Sequence, residues 1–215
     1  MVRRTASILV CSVIILNFLG CANKQKKAID FGNINQNVYT NTYFNLKVPF
    51  PGSWYVIDER SRAEESKKWL KMAFKNNENL QAAVDDVDVK NLKLFSLSEH
   101  PPGSPVSSNP HFLIVAENVS HFPGIVKGED YHYHTKKMME LSKYEFSFPN
   151  EIYEVQIDSI KFDVLETEII FGSDIYRSKQ YVSILNGYAL IFGLKYSNDS
   201  DLNKLESIIN SISIN

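Results

Sequence analysis

The sequence predicts an α+β fold in which an antiparallel β-sheet is covered by helices. Two observations come from periodicity: some segments alternate apolar and polar residues as strands do, and others space apolar residues three and four apart as helices do. The third is the pair Asn186-Gly187 between two long strand-like segments. A type I′ hairpin turn needs positive φ at both central residues, which this pair supplies most readily. This mixture of elements favours an α+β sandwich.

The first predicted element is a strand at residues 43–50, which turns at Pro51-Gly52 into a short strand at residues 54–56. Its inward positions are Phe44, Leu46, Val48 and Phe50. A helix is predicted at residues 62–76, because Trp69, Met72 and Ala73 form one apolar stripe after Asp58 or Ser61 as a cap. Residues 79–87 are predicted to add a second helical piece.

The remaining elements follow the same two periods. Strands are predicted at residues 92–97, 112–119, 153–160, 162–171, 176–185 and 188–196. Helices are predicted at residues 129–143, with Tyr131, Thr135, Met138 and Met139 on neighbouring turns, and at residues 199–211, with Leu202, Leu205, Ile208 and Ile209 inward. Between the strands at 92–97 and 112–119, four prolines and Gly103 in residues 99–110 predict a long exposed loop.

The N-terminus resembles a bacterial lipoprotein signal. Arg3 and Arg4 precede an apolar run at residues 6–19, and Gly20-Cys21 follows it. The run is shorter than the roughly 20 residues of a spanning helix and fits a signal peptide. The resemblance implies cleavage after Gly20 and acylation of Cys21. Since Ala22 and Asn23 follow and no Asp stands second, it also implies the periplasmic face of the outer membrane.

Composition excludes several functions for the exported chain. Of the two cysteines, Cys11 lies in the segment to be removed and Cys21 is consumed by lipid, so no thiol remains for a disulfide, a metal or catalysis. Removing residues 1–20 takes two Arg and no acid, which changes the formal charge from −2 to −4. A mildly acidic surface argues against nucleic acid as a partner.

The mature chain is predicted to be one domain on a flexible tether. Residues 21–37 are polar and rich in Lys, Asn and Gln, which is typical of a tether, and residues 38–215 suit a single domain with a core. Lys24, Lys26 and Lys27 in the tether each add about 1 kcal/mol of attraction to an anionic bilayer.

Two segments resemble the PsbP-like fold. Residues 43–54 read Tyr-Phe-Asn-Leu-Lys-Val-Pro-Phe-Pro-Gly-Ser-Trp, an amphipathic strand followed by Pro, a Gly turn and Trp. The chain closes with a long hairpin and a helix ending in Ile-x-x-Ser-Ile at residues 208–212. The resemblance implies an α/β/α sandwich like those of extrinsic photosystem proteins and DcrB-like envelope lipoproteins. Members of this fold act mostly as binding or assembly modules and share no catalytic motif.

The candidate binding residues lie around the proline-rich loop. Glu99 and His100 stand at its mouth, and with His111 and Glu117 they could line a polar cleft. Histidine beside a carboxylate can do acid–base work, although a loop flanked by polar residues gives the same pattern. A metal site at His132 and His134 is disfavoured, because residues two apart on a helix point about 200° apart, and both are predicted to be solvated. Asp85-Asp86-Val87-Asp88 lacks the Gly and distant Glu of a calcium loop.

Two functions remain open from the sequence. The favoured one is a non-enzymatic lipoprotein that binds an envelope protein or a small ligand with the proline-rich loop and needs no cofactor or metal. The alternative is an envelope hydrolase or metal-dependent enzyme built on Glu99, His100, His111, Glu117, His132 and His134.

Overall fold

The computed structural model describes residues 29–58, 91–142, 144–171 and 174–215. The predicted signal peptide, Cys21 and the predicted helical segments at 62–76 and 79–87 lie outside these residues. In the described ranges the strands are β1 Asn33–Asn35, β2 Val38–Asn41, β3 Leu46–Pro49, β4 Tyr55–Val56, β5 Asn91–Ser98, β6 His111–Asn118, β7 Phe146–Ser147, β8 Tyr153–Ile157, β9 Ile160–Phe171, β10 Asp174–Leu185, β11 Tyr188–Tyr196 and β12 Ser213–Ile214. The helices are α1 Gly128–Glu140 and α2 Asp199–Ile209.

The strands form two antiparallel sheets. In the main sheet the order is β4-β5-β6-β11-β10-β9-β7, and β8 also pairs with β9. The small sheet has the order β1-β2-β3-β12. The structure thus confirms the α+β class and a mostly antiparallel sheet.

The core lies between the two sheets. Phe112, Phe162 and Phe192 project from one face of the main sheet, here called the inner face, and all three are fully buried. They pack in one cluster with the inward residues of the first predicted strand, Phe44, Leu46, Val48 and Phe50. The same cluster includes Leu205, Ile208 and Ile209 of α2. The inward positions predicted for residues 43–50 are therefore confirmed.

The opposite, outer face of the main sheet carries α1. Val182 and Ile191 from this face form a smaller apolar cluster, against which Tyr131 of α1 packs. Gly128, the first residue of α1, lies so close to β10 that a Cβ would stand 2.2 Å from the Val182 carbonyl oxygen. The side chain of Asp163 on β9 accepts a hydrogen bond of 2.8 Å from the Glu129 amide. The helix N-terminus is thus fixed to two neighbouring strands.

The main sheet has two ends with different loops. At the Asn186 end, the turn Asn186-Gly187 connects β10 to β11 beside Asn118, and both turn residues have positive φ, 53° and 81°. This confirms the hairpin prediction. At the loop end, His111 pairs with Ser98 and Lys195, and the proline-rich loop begins. β6 runs from one end to the other, and its eight residues span about 23 Å.

The structure corrects several boundaries. Asn33–Asn35 form strand β1, although composition predicts a tether as far as residue 37. The predicted strand at 153–160 ends earlier, because Asp158 adopts positive φ in a turn and Ile160 already belongs to β9. The last helix ends at Ile209, and two residues beyond the following turn pair with β3 as β12. Within the described ranges, no helix has the length and apolar character needed to cross a bilayer.

Candidate binding site at the proline-rich loop

The base of the proline-rich loop continues the pairing of β5 and β6. The Glu99 amide donates to the Pro110 carbonyl at 3.2 Å. One residue further out, the Asn109 side chain replaces a backbone partner: its Oδ1 accepts from the His100 amide and its Nδ2 donates to the His100 carbonyl, both at 2.9 Å. The loop is therefore closed by side-chain hydrogen bonds where proline removes backbone donors.

Two contacts attach the loop to the first half of α2. Ser108 donates its hydroxyl to Asp201, whose buried carboxylate also accepts from the Asn198 side chain at 3.0 Å. Lys204 pairs with Glu99, with both carboxylate oxygens 2.7 Å from Nζ. Glu99, predicted to line a cleft, thus serves to hold the loop on the inner-face side of the domain.

The tip of the loop, residues 101–107, is exposed and folded on itself. The Ser104 amide and hydroxyl both donate to the Pro101 carbonyl, at 3.1 and 2.7 Å, and the Val106 amide donates to the Ser104 carbonyl at 2.8 Å. Gly103 has a φ of 81°, a conformation that side chains disfavour. The side chain of Val106 is 40% exposed. The tip thus presents proline, serine and valine on an ordered backbone.

His111 faces the other way, toward the outer face of the sheet. Its Nε2 lies 2.5 Å from the hydroxyl of Ser96, which is buried on the neighbouring strand. Burial, helped by the positive charge of Lys195, lowers the pKa of His111 to about 3. The residue is therefore neutral at physiological pH and acts as a hydrogen-bonding partner within the sheet.

We expect His111 to make the protein less stable in acid. The unfolded chain takes up a proton on this residue below a pH of about 6.5, whereas the folded protein resists protonation until about pH 3. Stability is therefore complete above the first value and falls as pH decreases toward the second, by at most about 1.4 kcal/mol per pH unit from this group. His111→Gln should flatten the decline of the urea midpoint between pH 6.5 and 4 relative to the wild type. Equal slopes for His111→Gln and the wild type would contradict this role.

Glu117 lies at the opposite end of β6 from His111. The two positions are six residues apart, which corresponds to about 20 Å along the strand. Glu117 accepts a hydrogen bond of 2.6 Å from the Tyr131 hydroxyl, and burial beside this carboxylate raises the pKa of Tyr131 well above its usual value. The structure therefore does not bring the four predicted residues into one cleft: Glu99 and His100 lie at the loop, His111 behind it and Glu117 under α1.

Both histidines of α1 were predicted to be solvated, and for His132 this is wrong. His132 is fully buried, because it lies over β9 with its Nε2 3.0 Å from the Asp163 carbonyl, and burial lowers its pKa. His134 is exposed beside Tyr133. Among the described residues, no three histidine, cysteine or acidic side chains are grouped closely enough to hold a metal ion.

A charged and aromatic cluster on the inner face was not predicted. Lys179 lies 2.9 Å from Glu206 of α2 and 3.2 Å from Glu166 of β9, and its exposure is only 12%. Burial lowers the pKa of Lys179, but the hydrogen bond to Glu206, with smaller contributions from Tyr181, Tyr153 and Glu166, outweighs it and the net shift is upward. Burial, with a hydrogen bond to Glu166, raises the pKa of Tyr153 to about 12. The paired charges join α2 to β9 and β10, and the only sequence signal is Lys179 two residues before the buried Tyr181.

An open cavity of about 440 Å³ lies at the Asn186 end, beside the start of α1. Its charged lining residues pair with one another: Lys127 with Glu129, and Lys161 with Glu154 at 2.9 Å. Because Asp163 is bound to the helix N-terminus, the cavity presents little unpaired charge.

The sheets and helices define an α+β domain with a mostly antiparallel sheet, and comparison with solved structures identifies its fold as PsbP-like. Cyanobacterial PsbP (CyanoP) from Synechocystis sp. PCC 6803 matches with a TM-score of 0.52 at 12% identity, over 86% of this chain and 96% of CyanoP. LpqN, involved in cell envelope biogenesis of Mycobacterium tuberculosis, gives a TM-score of 0.40 at 11% identity, over 79% of this chain and 83% of LpqN. No protein-family model and no curated protein matches the sequence. The predicted resemblance is confirmed at the level of the fold.

Proposed function

We propose that this protein is a lipid-anchored cell-envelope lipoprotein whose PsbP-like α/β/α domain binds a partner protein without catalysing a reaction. The observation that carries the proposal is the exposed, ordered tip of the proline-rich loop, residues 101–107, on a base bonded to α2. The partner is proposed to be another envelope protein, and the location to be the periplasmic face of the outer membrane.

The sequence supports the anchor. Arg3, Arg4, the apolar run at residues 6–19 and Gly20-Cys21 occur in the order that a lipoprotein signal requires. Two or more acyl chains give stable attachment, because each buried methylene contributes about 0.8 kcal/mol. The positions after Cys21, where Ala22 and Asn23 stand instead of Asp, favour the outer membrane.

The structure supports the loop as the binding surface. A loop that is ordered before binding loses less conformational entropy when a partner contacts it. Here proline restricts the backbone, and the turn at Pro101 and Ser104 and the pairing of His100 with Asn109 hold the remaining residues. Prolines and Val106 also offer apolar contact area without the entropic cost of long side chains.

The proposal is tested by replacing residues 101–107 with a short Gly-Ser turn while keeping His100, Ser108 and Asn109. This variant retains the base of the loop and the Ser108–Asp201 bond, so its thermal stability should stay within about 1 kcal/mol of the wild type. Crosslinking in intact envelopes, followed by purification of the lipoprotein, should then recover the partner with the wild type and lose it with the variant.

Leu141→Ser provides the matched control, since it removes an exposed apolar residue after α1, on the outer-face side. It should retain every crosslink. A loop variant that keeps its partners in full would show that the tip is not the binding surface.

A further inference from the structure

We infer that the loop between β6 and α1, residues 119–127, contacts the lipid bilayer, so that the Asn186 end of the domain faces the membrane and the proline-rich loop faces away from it. The inference rests on the lipid anchor of the proposed function. It adds an orientation and a second membrane contact that the anchor alone does not specify.

The first argument is where the chain enters the domain. Asp30 accepts hydrogen bonds from the Thr42 amide, at 3.2 Å, and from the Thr42 hydroxyl, and its carbonyl accepts from the Asn41 side chain at 2.9 Å. Tyr43 follows Thr42 directly, and the centroid of its ring lies 5.7 Å from that of Tyr188, the first residue of β11. The chain therefore joins the domain at the Asn186 end.

The second argument is the reach of the preceding segment. Asp30 is the ninth residue after Cys21, and nine residue steps span at most about 32 Å when fully extended. Asp30 is thus held near the bilayer once Cys21 is acylated. The proline-rich loop begins at the other end of β6, about 23 Å from the end where the chain enters the domain.

The third argument is the surface of the 119–127 loop, which lies at this same end. The side chains of Phe122 and Val126 are 48% and 72% exposed. Phe31, next to Asp30, is 50% exposed as well. Residues 118–127 contain no Asp or Glu, although the chain as a whole is acidic, and the charge of Lys127 is paired with that of Glu129. Exposed apolar side chains in a segment without acidic residues suit the interface of a bilayer.

Most backbone amides of this loop already donate a hydrogen bond within the protein, which lowers the cost of placing the loop against a bilayer. The Val119 amide donates to the Gly187 carbonyl at 3.0 Å, and the Phe122 and Ile125 amides each donate to the carbonyl three residues before them, at 2.9 Å. Asp130 accepts from the Val126 and Lys127 amides, both at 3.0 Å. Phe122 and Val126 can therefore enter the lipid interface without exposing these donors to it.

The test places a tryptophan at each end of the full-length acylated protein. Phe122→Trp and Val106→Trp are reconstituted in phosphatidylethanolamine and phosphatidylglycerol vesicles whose acyl chains carry bromine, a quencher of tryptophan. The fluorescence that Phe122→Trp adds to the wild-type signal should lie at the short wavelengths typical of an apolar environment. The brominated acyl chains should quench it. The fluorescence that Val106→Trp adds should be unchanged by bromine.

Flotation of the vesicles separates the two possible failures. Protein that does not float with the vesicles would show that the anchor of the proposed function is wrong. Protein that floats with Phe122→Trp unquenched, or with Val106→Trp quenched instead, would overturn the orientation. A crosslink from residue 122 to an envelope protein in cells, with no quenching, would also overturn it and assign the loop to a protein partner.

Discussion

Replacing Cys21 with serine is expected to release the protein completely from the membrane fraction. In the proposed lipoprotein the acyl chains on this thiol would supply the membrane affinity, because two chains of ordinary length contribute far more than the roughly 1 kcal/mol per lysine expected from Lys24, Lys26 and Lys27. The fractionation should therefore show the variant in the soluble periplasmic extract, with the circular dichroism spectrum of the wild type.

Cys11→Ser is the matched control, because Cys11 is the only other cysteine and lies within the segment predicted to be removed. This variant should remain membrane-bound and acylated. If Cys21→Ser stayed with the bilayer after a high-salt wash, the lipoprotein assignment would be wrong.

Gly128→Ala is expected to destabilise the domain by about 1 to 3 kcal/mol, the usual cost of an added methyl group in a tightly packed site. The new Cβ would stand 2.2 Å from the Val182 carbonyl oxygen and 3.0 Å from the Asp163 side chain. A backbone carbonyl within a central strand cannot move aside, so α1 must shift and weaken the bond from Glu129 to Asp163. This loss exceeds the roughly 1 kcal/mol that alanine gains over glycine in a helix.

Gly124→Ala tests whether the effect comes from this contact. Gly124 lies four residues earlier in the exposed loop, and a Cβ there would meet nothing within 4 Å. Its urea midpoint should match that of the wild type within about 0.5 kcal/mol. Equal midpoints for both variants would mean that α1 does not lie close enough to β10 for a Cβ at position 128 to meet the Val182 carbonyl oxygen.

Apolar patterning and turn signals made the central strands predictable. Residues 188–196 form β11 with the predicted bounds, because a nearly continuous apolar run follows the Asn186-Gly187 turn and both faces of the strand are buried. Strands β1 and β12 lack this signal. Asn33–Asn35 is exposed along its whole length, and Ser213–Ile214 has only two residues, so their pairing depends on partners elsewhere in the chain.

The site was harder to predict, because its contacts join residues far apart in sequence. Ser108 bonds to Asp201 across 93 positions, and Glu99 pairs with Lys204 across 105. Local composition predicts the exposed proline-rich loop, but it does not predict the attachment of the base of the loop to α2. His132 illustrates the same limit: helical periodicity gives the direction of its side chain, whereas its burial depends on β9, where the Asp163 carbonyl accepts a hydrogen bond from its ring.

The bonds of Asp30 also determine how the domain responds to mechanical force. A pull on the chain before Asp30 would load first the bonds from Asp30 to Thr42 and Asn41, and then the pairs between β1 and β2 in sequence. Peeling a short edge strand needs less force than shearing a whole sheet, because its bonds break one at a time. The first segment to detach would be the exposed β1, while the strands that enclose the core remain paired. Under such a pull the few residues of β1 would extend first, before the strands around the core are strained.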